Sequence, residues 1–111
     1  MNLPKMPKTT FDQAADDARF ITEVMNDLGL STDAELEAIA NLTKNTLSKA
    51  RNGAQSLGAF NRAKMGDLCW YAYARDALLY LFGAKGREWI ELDKRRLVSR
   101  AKTAAQKRSQ E

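Results

Sequence analysis

Thr43-Lys44-Asn45-Thr46-Leu47-Ser48-Lys49-Ala50-Arg51-Asn52-Gly53 is the stretch on which the reading of this chain turns. It lies in a window, Ala38 to Gly66, that contains no acidic residue. Thr43 is placed to cap a short helix through its side-chain oxygen, and Gly53 to close it in a left-handed conformation. Residues three and four apart share a helix face, so Leu47 and Ala50 point inward. Lys44, Asn45, Ser48 and Lys49 form the opposite stripe, and each can hydrogen-bond a base edge: Lys donates to guanine, Asn pairs with adenine, and Ser serves either way. Arg51, Asn52 and Gln55 follow at the helix end, where phosphate is the expected partner.

The preceding segment, Ser31 to Ala40, reads as a second short helix. Thr32 is its N-cap, and Glu35 three residues on completes a capping box. Its apolar residues Leu36, Ile39 and Ala40 fall on one side. Asn41 stands where a tight turn needs a positive φ, which Asn tolerates better than most residues. Leu42 plugs that turn. The outline over residues 32–53 is a helix-turn-helix. A solvated polar face on a short amphipathic helix needs no ligand, but the caps, the turn Asn and the missing acids are separate observations that agree.

On these residues the chain resembles the lambda-type phage repressors and Cro proteins. Leu36 to Gly53 lines up without a gap with their helix-turn-helix, above all in the ending Ser48-Lys49-Ala50-Arg51-Asn52-Gly53, and Asn26 to Gly53 carries most of the likeness. The resemblance implies that Lys44, Asn45, Ser48 and Lys49 occupy base-reading positions and that Thr43 and Asn52 occupy positions that touch phosphate. Glu37 stands where the family usually has a small Ala between the two helices. Asn41 replaces the turn Gly, and Ala50 stands where many relatives carry a large Trp or Leu.

The rest of the chain frames the motif. A length of 111 residues with 44% hydrophobic content suits a single domain with its own core. The sequence has no apolar run long enough for a membrane span and no apolar N-terminal stretch of signal-peptide type. With one cysteine, Cys69, no internal disulfide can form, and a cytoplasmic setting is expected. The net charge of +4 hides an asymmetry. Thr10 to Ala40 holds eight acids against Arg19 alone, Asn41 to Gly66 holds five bases and no acid, and Lys94 to Glu111 adds seven bases against one acid. Such segregation fits a chain that offers one surface to a polyanion, although a basic tail can also serve solubility alone.

Nothing alternates at period two for long, so the expectation is an all-α, five- to six-helix domain. Residues 1–9, with Pro4, Pro7, Lys5 and Lys8, read as a flexible arm, 10–83 as the helix-turn-helix domain, and 84–111 as a basic C-terminal helix or tail for dimerisation or DNA contact. A first helix capped by Thr10, with Gln13 three residues later, carries Phe11, Ala14, Ala18, Ile21, Val24, Met25 and Leu28 at helical spacing to Gly29. Asp67 to Phe82 is the most apolar segment and covers two faces, which requires two packing partners. Aromatic residues favour interfaces, so Trp70, Tyr73, Leu81 and Trp89 are expected at a homodimer interface; the alternative is a central helix buried within one monomer.

For an enzyme the sequence offers little. It has no His, the commonest general base and metal ligand. Cys69 sits among apolar residues as a core or interface thiol. Gly83-Ala84-Lys85-Gly86 lacks Walker spacing and, although it matches the GxxG of KH domains, reads as a turn between helices. No catalytic residue, cofactor or metal is expected. The expected function is sequence-specific binding of double-stranded DNA at a palindromic operator by a small dimeric repressor of a phage, plasmid or mobile element. RNA polymerase or a toxin are further candidate partners. The competing class is a protein-interaction module, an antitoxin, inhibitor or adaptor, that keeps the helix-turn-helix as scaffold.

Overall fold

In this computed structural model residues 12–110 are described, the side chains of 71–73 excepted, and among them the chain forms six helices and no strand: α1 (Gln13–Leu28), α2 (Asp33–Ile39), α3 (Thr46–Arg51), α4 (Ala59–Asp67), α5 (Trp70–Phe82) and α6 (Ala84–Ser109). The expected arm at 1–9, the Thr10 cap and Phe11 lie outside the described residues. The cap seen on α1 is Asp12, whose carboxylate accepts the N–H of Ala15 at 3.1 Å. Gln13, expected in a capping box, instead donates to Asp17 at 2.9 Å, because a buried carboxylate lies one turn away. Gly29, at φ 75°, ends α1 as expected.

Helix α2 starts with the expected capping box. Thr32 Oγ1 accepts from Glu35 N at 3.2 Å, and Glu35 Oε1 accepts from Thr32 N at 3.0 Å. Burial acts to raise the Glu35 pKa, but the hydrogen bonds from Ser31 and Thr32 outweigh it and hold the carboxyl below its usual value. Asn41 has φ 58°, the left-handed turn its side chain tolerates. Helix α3 departs from expectation at its start. It begins at Thr46 rather than at Lys44, and Asn45 precedes it at φ 70° without a side-chain cap. Thr43 contributes its carbonyl, which accepts from Thr46 N and Oγ1 at 3.2 and 2.6 Å, so its hydroxyl is not the cap.

The core runs through the junction of these helices. Ile21 and Leu28 of α1, Leu36 of α2 and Leu47 of α3 are fully buried, and Leu57 and Met65 close it from the α4 side. Asp17 is buried with them. Its carboxylate accepts the Leu57 N–H at 3.0 Å, Arg62 at 2.7 Å and Gln13, tying α1 to the loop after α3 and to α4. Burial is the largest influence on Asp17 and raises its pKa, yet these donors together hold it below its usual value. Arg62 also meets Asp16 at 2.5 Å and lies 4.7 Å above the Phe20 ring.

Helices α5 and α6 pair through a turn at Gly83. A helix break extending to Gly86 was expected, but Gly86 lies within the first turn of α6. A Cβ there would come within 2.6 Å of the Leu78 carbonyl, so glycine permits close approach of the two helices. The basic C-terminal segment is therefore one continuous helix of 26 residues. It packs first on α5 and then on α2, burying Ile90, Leu97 and Ala101. The radius of gyration is 17.2 Å, against about 13 Å for a compact chain near this length. Helix α5 packs mainly on α6, which itself packs along α2.

Candidate nucleic-acid interface

The turn between α2 and α3 is held from three sides. Leu42 fills it at 2% exposure, and its N–H donates to Glu37 O at 2.8 Å. The buried Glu37 carboxylate accepts the N–H of Leu47 at 3.0 Å. An N–H orphaned at the start of α3 is thus satisfied by a side chain of α2, which does for α3 what Thr43 was expected to do and also couples the two helices. At the other end Gly53, at φ 77°, and the bond from Ala54 N to Lys49 O at 3.0 Å close α3 as its sequence indicates.

With α3 beginning at Thr46, the outward stripe changes membership. Asn45, Ser48, Lys49 and Asn52 recur at three- and four-residue spacing opposite buried Leu47 and Ala50, and all four are exposed. Thr43 and Lys44 flank them from the turn, also exposed. Asn52 accepts from Ala54 N at 3.0 Å, and exposed Gln55 follows, its N–H on Lys49 O. Arg51, expected to face phosphate, points elsewhere. Half-buried, it forms an ion pair with Asp33 of α2 and approaches Met25 Sδ at 3.5 Å, because an acid in the first turn of α2 lies within its reach. Lys44 Nζ donates to the carbonyl of Arg108 at 3.1 Å, and the Arg108 guanidinium donates to Leu42 O at 2.6 Å. The end of α6 therefore sits beside the start of α3, across a cleft of about 220 Å³ lined by Glu37, Lys44, Asn45, Ala105 and Arg108. Nothing in the local spacing pointed to Arg108 or Glu37: the partners lie 66 and 10 residues away in sequence.

A second surface is apolar. Of the residues expected at a dimer interface, Trp70, Leu81 and Trp89 are 47%, 65% and 49% exposed, and the side chain of Tyr73 is outside the described set. This corrects the alternative of a helix buried within one monomer, because α5 has α6 alone as its main packing partner. Trp70 donates to Asp93 at 3.2 Å, and Phe82 meets Trp89 with ring centroids 5.0 Å apart. Since Trp89 and Asp93 are one turn apart on α6, the aromatic groups form a line along one seam of the pair. Arg75, Arg87, Glu91 and Lys94 line a different, charged flank together with Asp27.

Cys69 is buried at 4% exposure, and desolvation pushes its thiol up to about 11, so it is protonated and unreactive near neutrality. Among the described residues no helix is long and apolar enough to cross a membrane, and no group of three His, Cys, Asp or Glu is placed to hold a metal ion. No family model, curated protein or solved structure matches the chain.

Proposed function

We propose that the protein is a sequence-specific binder of double-stranded DNA and acts as a small dimeric transcriptional repressor, of the kind carried by phages, plasmids or mobile elements and similar in its reading motif to lambda-type repressors. The observation that carries this reading is the open stripe Asn45, Ser48, Lys49 and Asn52 on a helix start fixed by Glu37, in a window without acids. A major groove about 12 Å wide admits a helix of this thickness. Asn45 would read adenine, Lys49 guanine, and Ser48 either, while Thr43, Asn52 and Gln55 would meet phosphate. Arg51 leaves that set because Asp33 holds it. The apolar seam of α5–α6 would seat a second copy, placing two reading helices about 34 Å apart on a palindromic operator and excluding RNA polymerase by bulk.

The test is selection of bound fragments from a random duplex library by the intact protein at two salt concentrations. The expected result is a palindrome whose half-sites are about one helical turn apart, with affinity falling steeply as salt rises. Binding without an enriched sequence, or no binding, overturns the reading. The open aromatic seam also favours a second one, a protein-interaction module such as an antitoxin or adaptor. Sedimentation separates them: a monomer that forms no dimer alone and binds no duplex moves the assignment to this alternative.

A further inference from the structure

Two sets of cations in this chain contrast. Arg19, Arg51 and Arg62 each pair with a carboxylate of α1 or α2. Residues 94–110 hold seven cations and no acid, and among the described residues no ion pair joins Arg96, Arg100 or Lys107 to a carboxylate. These three are exposed, and their spacing of four and seven residues puts them on one stripe of α6 about 16 Å long. The face beside that stripe is occupied: Ala101 is fully buried, with Ala104 and Ala105 half-buried, and these small side chains let α6 lie close along α2.

The far end of the stripe is tied to the reading turn by two reciprocal bonds. Lys44 satisfies the Arg108 carbonyl, one of the carbonyls a helix C-terminus leaves without an internal partner. Arg108 satisfies Leu42 O in return. Lys44, Asn45, Ser48 and Lys49 stay exposed with this latch in place, so the helix end adjoins the reading face without covering it. Duplex DNA presents one negative charge per ~1.7 Å of its axis, so a row of cations this long, beside a helix seated in the groove, faces several phosphates.

We infer that the C-terminal turns of α6 are a second, sequence-independent DNA contact that grips the phosphodiester backbone beside the bases α3 reads, and that Lys44 is a positioning residue that latches α6 there rather than a base reader. This rests on the DNA-reading proposal above. The test compares the intact protein and its variants on a duplex carrying the enriched sequence and on a scrambled duplex, with affinity followed against salt. In the triple variant R96Q/R100Q/K107Q the slope of log affinity against log salt should fall by about 2 to 3 units, at roughly 0.9 per phosphate lost, while preference for the enriched duplex is kept. Lys44→Met should lower the slope similarly and remove amide-exchange protection from the last two turns of α6, again with preference kept. An unchanged slope in the triple variant overturns the backbone contact and leaves the reading of α3 standing. Lost preference at an unchanged slope in Lys44→Met overturns the latch and makes Lys44 a base reader. Equal binding of the two duplexes by the unaltered protein is the distinct signature that the DNA-reading proposal itself is wrong.

Discussion

The core around α1–α4 and the outer face of the α5–α6 pair treat apolar surface in opposite ways. In the body around that core, Asp17 is buried yet fully satisfied, Arg62 and Arg51 are paired, and the large aliphatic side chains are closed off from water. In the helix pair, Trp70, Leu81, Phe82 and Trp89 remain about half or more exposed, and among the described residues no ion pair joins Arg96, Arg100 or Lys107 of α6 to a carboxylate. Covering apolar surface contributes roughly 25 cal/mol per Å². The core, which includes Ile90, Leu97 and Ala101 of α6, has already collected that stabilisation, whereas the exposed aromatic face of α5–α6 has not.

The contrast is broken most directly at Asp17. Asp17→Ala leaves the Leu57 N–H without an acceptor and removes the buried partner of Arg62, which keeps Asp16. The expected loss is about 3 kcal/mol in a urea melt; a loss below about 1 kcal/mol would mean that the body is held together elsewhere. Trp89→Ala tests the other half. If a second copy sits on the seam, this substitution should weaken the dimer by about 2 kcal/mol, near thirtyfold in dissociation constant by sedimentation, while the dissociated chain loses the Phe82 contact, about 1 kcal/mol in a urea melt. A chain that stays monomeric at every concentration refutes a second copy on the seam. Glu37→Ala uncaps Leu47 within the body and should cost about 1–2 kcal/mol in thermal melts, with duplex preference falling as α3 loosens against α2.

Acid supplies the mildest perturbation. Asp17 and Glu35 titrate below their ordinary 3.8 and 4.5 when folded. The stability they contribute is therefore fully present above about pH 4.5 and is lost as pH falls through the lowered values. Urea midpoints measured downward from neutrality should stay level to that point and then drop. The drop should shrink in Asp17→Ala, and an unchanged drop would assign acid sensitivity to other carboxylates.

How much of this was legible in the sequence depends on the range of each signal. The Thr32–Glu35 capping box, the positive φ of Asn41 and the Gly53 stop depend on groups within a few residues, and they stand where the spacing indicates. The start of α3 was misread because its cap comes from Glu37, ten residues back, so Thr43 had no orphaned donor to satisfy in the expected way. Arg51 was read as free because its spacing carries no trace of Asp33. Gly86 reads locally as a helix breaker, and its need for closeness to Leu78 exists once α5 and α6 are side by side. Exposure of Asn45, Ser48, Lys49 and Asn52 follows from periodicity, whereas the proximity of Arg108 is a product of the whole fold.

Continuity of α6 has a mechanical side. A helix of 26 residues measures about 39 Å, with Gly86 near one tip and Arg108 near the other. Tilting such a rod by about 10° at Gly86 sweeps the far tip through roughly 6 Å, about one helical pitch. The added methyl of Gly86→Ala, meeting the Leu78 carbonyl, would act as a wedge at the fulcrum, with its displacement magnified at the opposite extremity, where the α2–α3 turn lies.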